Sequence, residues 1–315
     1  MKRDGLKYRI KRRVKAFIIY LFLSIVTVVC LFPLAWMLSS SLKSQSTIFS
    51  DMSIIPRNPI WSNYAEAFIK GKFWIYMTNS IFYTTLVVFG IVIVSSWAAY
   101  AFSRLKFPGS GLFFNMFLAA MMIPLPGSFV PLYVLVNNVK KIIISGLHYI
   151  SPFLLRFFSE DTVLQIFSFI EQQFYPRSVY IFCMINVGLS LSIYILKTFF
   201  DKMPKELEEA ARIDGCSKMG IWRHVAMPLA RPAIAVIVIF NTLNVWNEYI
   251  LAQLILTQNN AMPLQRGLMV FQGVYVTQYP LLMAGITMTV VPILIVYLAM
   301  QKHIIKGMTA GALVG

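Results

Sequence analysis

The chain has 315 residues, of which 58% are hydrophobic and only 13% charged, with a formal net charge of +16. A soluble domain is roughly half apolar and about a quarter charged, so water is not the main solvent of this chain. Excess positive charge on one face would point to nucleic acid, but here lysine and arginine flank apolar blocks, which excludes that partner. Cys30, Cys183 and Cys216 are odd in number and widely spaced, and two of them lie in apolar runs. They support neither a disulfide framework nor a metal site and read as inert.

The leader Met1 to Lys15 is strongly basic and abuts an apolar run, Ala16 to Leu38. That run is longer than the ~7 to 15 residues of a cleavable signal core, so it reads as an anchor that stays, its leader held near anionic lipid. About 20 apolar residues cross a hydrocarbon core of roughly 30 Å. By that measure the chain holds six spans: Ala16 to Leu38, Ser80 to Phe102, Leu112 to Leu135, Ser178 to Phe200, Pro232 to Ile255 and Tyr279 to Met300. Pro33, Pro124, Pro126, Pro131 and Pro292 lie within them and predict kinks, which membrane helices tolerate when neighbours satisfy the freed carbonyls. With both termini in the cytoplasm, 19 of the 28 Lys and Arg fall on the inner side, so the positive-inside rule selects that topology.

Asn137 to Arg177 is the hardest stretch to place, because Ile142 to Phe158 is apolar apart from a few polar residues. One extra crossing would put the basic loop after Phe200 outside, and a second crossing made of Thr162 to Tyr175 is short and carries Glu171, Gln172 and Gln173. The reading preferred is an external or interfacial helical insertion over 137–177. The domain layout is then a basic leader, 1–15, and one transmembrane domain, 16–315.

Between the fourth and fifth spans, 201–231 reads DKMPKELEEAARIDGCSKMGIWRHVAMPLAR. Pro204 can open a helix, Lys205 to Ile213 is rich in helix formers with acidic residues near its positive end, and Asp214-Gly215 ends it. A second short helix, Ser217 to Val225, exits at Pro228. Two readings of this elbow are open: a loop packed on its own bundle, or a handle for a partner. Within the fifth span Asn241, Asn244 and Asn247 recur every three residues, followed by Glu248. Intramembrane polar groups face the bundle or a wet cavity, so bonding between helices and contact with a solute are both open; Trp246 and Tyr249 are the first candidates to line a pathway. No nucleotide-binding or catalytic-metal motif occurs, and His148, His224 and His303 are scattered.

Glu209-Ala210-Ala211, Gly215 and Val225-Ala226-Met227-Pro228 keep the spacing of the EAA loop of ABC importer permeases. Ala98 to Arg104 ahead of Pro108-Gly109, Met122-Ile123-Pro124 with Pro131-Leu132-Tyr133, Trp246-Asn247-Glu248 and Gly307 to Ala312 resemble landmarks of the carbohydrate-uptake, maltose-permease-like branch. The resemblance implies an all-α, six-span type I importer permease, multi-pass in a bacterial inner membrane. It implies that Glu209, Ala210, Ala211, Asp214, Gly215 and Pro228 form a coupling elbow on a separate ATPase dimer, which alone carries ATP and magnesium. This chain then holds no cofactor. The other implied partners are a second, similar permease chain, an extracytoplasmic solute-binding protein and a sugar-type solute, with the terminal tail reaching toward the ATPase. A permease for another solute, a self-sufficient secondary transporter and a membrane enzyme are the competing readings. The transporter would rely on Glu248 alone, and the enzyme on clustered ligands that the spans lack.

Overall fold

A computed structural model describes residues 2–105, 107–123, 125–273 and 276–312, without the side chains of 2–11, 125–126, 300 and 302–312. The landmark Pro124 and the side chains of the terminal Gly307 to Ala312 segment lie outside the described residues. Among the described residues regular structure is helical, apart from one antiparallel bridge between Gln272 and Thr277. The helices are α1 (Lys2–Ser41), α2 (Ser62–Lys70), α3 (Phe73–Arg104), α4 (Ser110–Ala120), α5 (Leu125–Leu154), α6 (Glu160–Phe169) and α7 (Tyr175–Lys202). They continue as α8 (Glu206–Ile213), α9 (Lys218–Ile221), α10 (Met227–Leu229), α11 (Arg231–Asn247), α12 (Ile250–Ile255), α13 (Leu264–Leu268) and α14 (Tyr279–Ala312). Two wide π turns, Ile170–Phe174 and Trp222–Ala226, join α6 to α7 and α9 to α10.

Five helical runs among these residues are long and apolar enough to cross a bilayer: Arg12–Ser41, Phe73–Arg104, Gly127–Leu154, Glu160–Lys202 and Tyr279–Ala299. The bent pair Lys218–Leu229 and Arg231–Asn247 makes a sixth if it is counted as one span. The third span differs from its sequence expectation. Leu112 to Leu135 is split between α4 and α5, and α5 runs without a break into the expected insertion as far as Leu154. Pro131 and Pro152 sit inside α5, so neither proline stops it. The far side of the insertion is helical too, since α6 starts at Ser159, whose hydroxyl accepts from the Thr162 amide, and passes through the π turn directly into α7.

The described residues fall into two compact units, one within 1–72 and 268–290 and one within 73–267 and 291–315. In the first, the last carbonyl of α1 and those of the turn that follows it are met by side chains. Asn63 Nδ2 donates to the carbonyls of Ser41 at 2.8 Å and Lys43 at 3.0 Å. Lys43, almost wholly buried, donates to the carbonyls of Asp51 and Ser53 at 2.7 and 2.8 Å and lies over the Trp36 ring. A buried ammonium needs such partners, because a bare one would cost several kcal/mol.

The second unit is organised on α3, α7 and α11. On α7 the buried residues recur every fourth position, from Tyr180 through Met184, Gly188, Ser192 and Leu196 to Phe200. Such a row forms one ridge along a helix. On α3 the facing row includes Tyr83, Val87, Ile91, Ser95 and Ala99. Small side chains at the crossing let the backbones approach, which is how membrane helices associate where no hydrophobic force separates protein from lipid. At the upper end of the row Tyr83 and Tyr180 meet edge to face at 5.0 Å, and the Tyr83 hydroxyl donates to the Ala261 carbonyl at 2.7 Å. A Cβ placed on Gly188 would stand 2.3 Å from Asn241 Oδ1 and 2.4 Å from Ile91 Cδ1. Gly188→Ala is therefore expected to destabilise the detergent-purified protein by about 1–3 kcal/mol through overpacking. Gly146→Ala, where nothing lies within 4 Å, is expected to leave the thermal midpoint unchanged or raise it.

Candidate functional site

The stretch from Met203 to Arg231 folds as an elbow between α7 and α11. α7 ends at Lys202, because Met203 turns extended ahead of Pro204. α8 then starts with Glu206, Glu208 and Glu209 in its first turn and Arg212 in its last, each matched to the local end of the helix dipole. Its exit is built on Gly215 at φ +83°, a left-handed conformation that glycine adopts without strain. The amides of Asp214, Gly215 and Cys216 return to the carbonyls of Ala210, Arg212 and Ala211. Ser217 caps α9 by accepting from the Gly220 amide at 3.2 Å. Beyond the π turn the chain bends by 76° at Ala230, and Pro232 sits in the first turn of α11, where its missing N–H is harmless.

This elbow has two faces. Inward it buries Glu208, Ala211, Ile221, Ala226 and Ala230. Outward it exposes Leu207, Ile213 and Met219, with Ile213 at 87%. Of the sequence-selected residues, Glu209, Ala210, Asp214, Gly215 and Pro228 lie on the exposed side and Ala211 on the buried one. These three apolar side chains face outward among charged neighbours such as Glu206, Glu209, Arg212 and Lys218.

Sequence reasoning did not single out the pair that anchors the elbow. Arg104, the last residue of α3, brings Nε to 2.8 Å from Glu208 Oε1, with the two side chains only 7% and 10% exposed. The approach is an ion pair without an aligned Nε–H···O bond. The same guanidinium donates through Nη2 to the Met203 carbonyl at 2.5 Å. Nearby, Asp201 accepts from Ser103 at 2.6 Å and from Lys197 at 2.7 Å. The available signal was one unpaired charge at the end of an apolar span and an acidic helix turn with one member on its apolar side. Sequence alone does not pair them. A mixed-charge cleft lined by Arg104, Phe107, Lys205, Glu208, Glu209 and Arg212 opens beside this anchor, with a volume near 710 Å³.

The residues of the fifth span do not form one cluster. Asn241 is buried, its Nδ2 donating to Ser192 Oγ at 3.0 Å and to the Ile237 carbonyl at 2.9 Å, so it bonds between helices. Asn244 and Asn247 are exposed, and Asn247 Nδ2 donates to the Leu243 carbonyl of its own helix. Trp246 is buried, at the edge of an apolar groove with Thr84, Val88, Thr242, Pro292 and Val296. Tyr249 is half-buried. Glu248 stands in the gap between α11 and α12: its oxygens accept from the amides of Leu251 at 2.5 Å and Ala252 at 3.1 Å, and from the Tyr180 hydroxyl at 3.2 Å. It caps α12 and ties the break to α7.

Comparison with known proteins adds the following. Residues 91–310 match the family described as "Binding-protein-dependent transport system inner membrane component". An ABC transporter permease protein of Caldicellulosiruptor is 34% identical over 94% of this chain and 96% of its own length. A trehalose/maltose transport system permease protein of Thermococcus litoralis is 30% identical over 92% of this chain and 94% of its own. A diacetylchitobiose uptake system permease protein of Streptomyces coelicolor is 28% identical over 90% and 84%. Among solved structures, a chain of a bacterial ABC transporter involved in import of the acidic polysaccharide alginate superimposes with a TM-score of 0.71 at 23% identity, covering 92% of this chain and 96% of that one.

Because Glu248 is a cap, Glu248→Ala is expected to lower stability by about 0.5–2 kcal/mol and to speed hydrogen exchange at the Leu251 and Ala252 amides. Unchanged exchange at both amides would contradict the assignment.

Proposed function

Because this chain belongs to the binding-protein-dependent transport system inner membrane components, we propose that it forms half of a sugar or oligosaccharide import pathway and one of its two drive connections. It is a multi-pass membrane permease subunit of an ATP-driven importer, acting with ATPase and binding-protein partners. The relatives named for trehalose/maltose and for diacetylchitobiose support a carbohydrate as the solute. The other half of the pathway is a second, similar permease chain. Hydrolysis takes place on a pair of ATPase subunits at the inner face of a bacterial cell membrane, with both termini of this chain in the cytoplasm.

In this reading the elbow is the part that the ATPase grips. Its exposed Leu207, Ile213 and Met219 carry the argument, since apolar side chains so far out on a charged hinge are costly in water and stabilising in a cleft. Ala210 is small enough to let a partner backbone come close, and Glu209 offers its carboxylate to a partner arginine. Closure of the ATPase pair displaces the elbow, the spans rock between inward and outward access, and hydrolysis resets them. The binding protein delivers solute on the outer side. Trp246, Glu248 and Asn241, which lie inside the bundle, set its shape, whereas Asn244, Asn247 and Tyr249 remain candidates to meet solute.

Two outcomes test this reading. In intact cells that express this chain without its ATPase, Ile213→Cys is expected to resist a membrane-impermeant thiol reagent and to react once the membrane is opened; labelling from outside would sink the topology. Gly215→Val places a β-branched residue at φ +83°, a strain of about 1–2 kcal/mol. In the complex reconstituted with its ATPase and loaded binding protein, this variant is expected to insert normally and to lose solute-stimulated hydrolysis by about tenfold, a coupling loss near 1.4 kcal/mol. Full stimulation in this variant would reject the elbow's role.

A further inference from the structure

We propose that Arg104 is the joint that transmits displacement of the elbow to α3, a helix with which the elbow has no direct chain connection. The inference rests on the reading that the elbow takes its load from an ATPase. By peptide linkage the elbow joins only α7 and α11, so any motion of α3 must pass through side-chain contacts. The contacts of α3 with the elbow and with the last turn of α7 that precedes it fall at Trp97, Tyr100, Ser103 and Arg104, along one face of the last two turns of α3. Trp97 meets Trp222 of the π turn at 5.8 Å between ring centroids. Tyr100 meets Phe200 edge to face at 5.8 Å, Ser103 bonds Asp201, and Arg104 meets both Met203 and Glu208. The exit of α7, the first turn of α8 and the π turn are thus each held to α3.

Arg104 differs from the others in kind. Ring contacts can slide and an exposed hydroxyl–carboxylate bond exchanges with water. The guanidinium is hydrogen-bonded to a backbone carbonyl and ion-paired with a buried carboxylate, so one side chain holds two partners at once. The Met203 carbonyl follows the last turn of α7 and the Glu208 carboxylate rides on α8, so one planar group locks three segments. Both side chains of the ion pair are almost wholly buried, which weakens the screening of their attraction by solvent. α3 in turn packs along α7 and α11 through the Gly188 crossing, so a push at its end is delivered into the bundle.

The test uses the full complex in liposomes and measures solute imported per ATP hydrolysed, normalised to assembled complex. The wild type must first show hydrolysis stimulated by the loaded binding protein; without that, the functional reading fails and the joint is not at issue. Given stimulation, Arg104→Gln is expected to keep hydrolysing while import per ATP falls by about tenfold. Arg104→Lys, which keeps the charge but not the fork, should fall between, and Arg104→Glu combined with Glu208→Arg should recover part of the loss. A pair that merely stabilises the fold predicts fewer assembled complexes with unchanged import per ATP, and that result overturns the proposal. Should Arg104→Gln fail to assemble, the joined variant Ser103→Cys with Asp201→Cys decides. Parts that move as one body tolerate the oxidised bridge, leaving import within about twofold of the reduced form. Import blocked by oxidation and restored by a thiol reductant overturns it.

Discussion

At Gly188 three helices meet with no room for a methyl group, and the polar partners of that crossing, Ser192 and Asn241, are buried beside it. In lipid there is no apolar gain from bringing helices together, so close packing and hydrogen bonds between helices must hold them. The crossing therefore fixes the line along which α3, α7 and α11 lie. Ser192 donates to the Gly188 carbonyl at 2.7 Å and receives from Asn241, closing a short polar chain through the contact.

At one end of the bundle α3 and α7 finish close together, and their last residues hold the elbow by its base. At the other end, the Tyr83 and Tyr180 rings and the Glu248 cap hold the break between α11 and α12. A helix interrupted inside a membrane leaves amides and carbonyls with no water to meet them, so an interruption needs a side chain that reaches back. Glu248 is that side chain for α12. Rigid packing at the middle and satisfied discontinuities at both ends suit a permease whose spans move as bodies against a partner.

Hydropathy was sufficient to locate α3, α7, α14 and the apolar part of α1, because a long uncharged block has few alternatives. It did not show that Leu112 to Leu135 is divided between α4 and α5. Leu112 to Leu135 and Ile142 to Phe158 are both apolar, and an apolar helix reads alike in lipid, at an interface or against another helix. Only the pairing of α5 with the π turn and α7, through Tyr175 to the Val136 carbonyl and Lys140 to Glu171, shows that the insertion continues the third and fourth helices. At the elbow, Pro204 and Asp214-Gly215 announced both boundaries by residue chemistry. The anchoring of Glu208 by Arg104 was hidden, since it depends on which residues the Gly188 crossing brings level. For Asn241 the sequence showed a polar group in a span, while its direction came from its neighbours.

The wide turn at Ile170–Phe174 accommodates one residue more than an ordinary helical turn. An insertion absorbed this way leaves the faces of α6 and α7 in register with their neighbours, whereas the same residue added to a regular helix would rotate everything beyond it by about 100°. Shortening the chain by one position there would tighten the coil and spare both helices. Length variation among related chains thus has a natural seam at the root of the insertion, well away from the bundle's crowded centre.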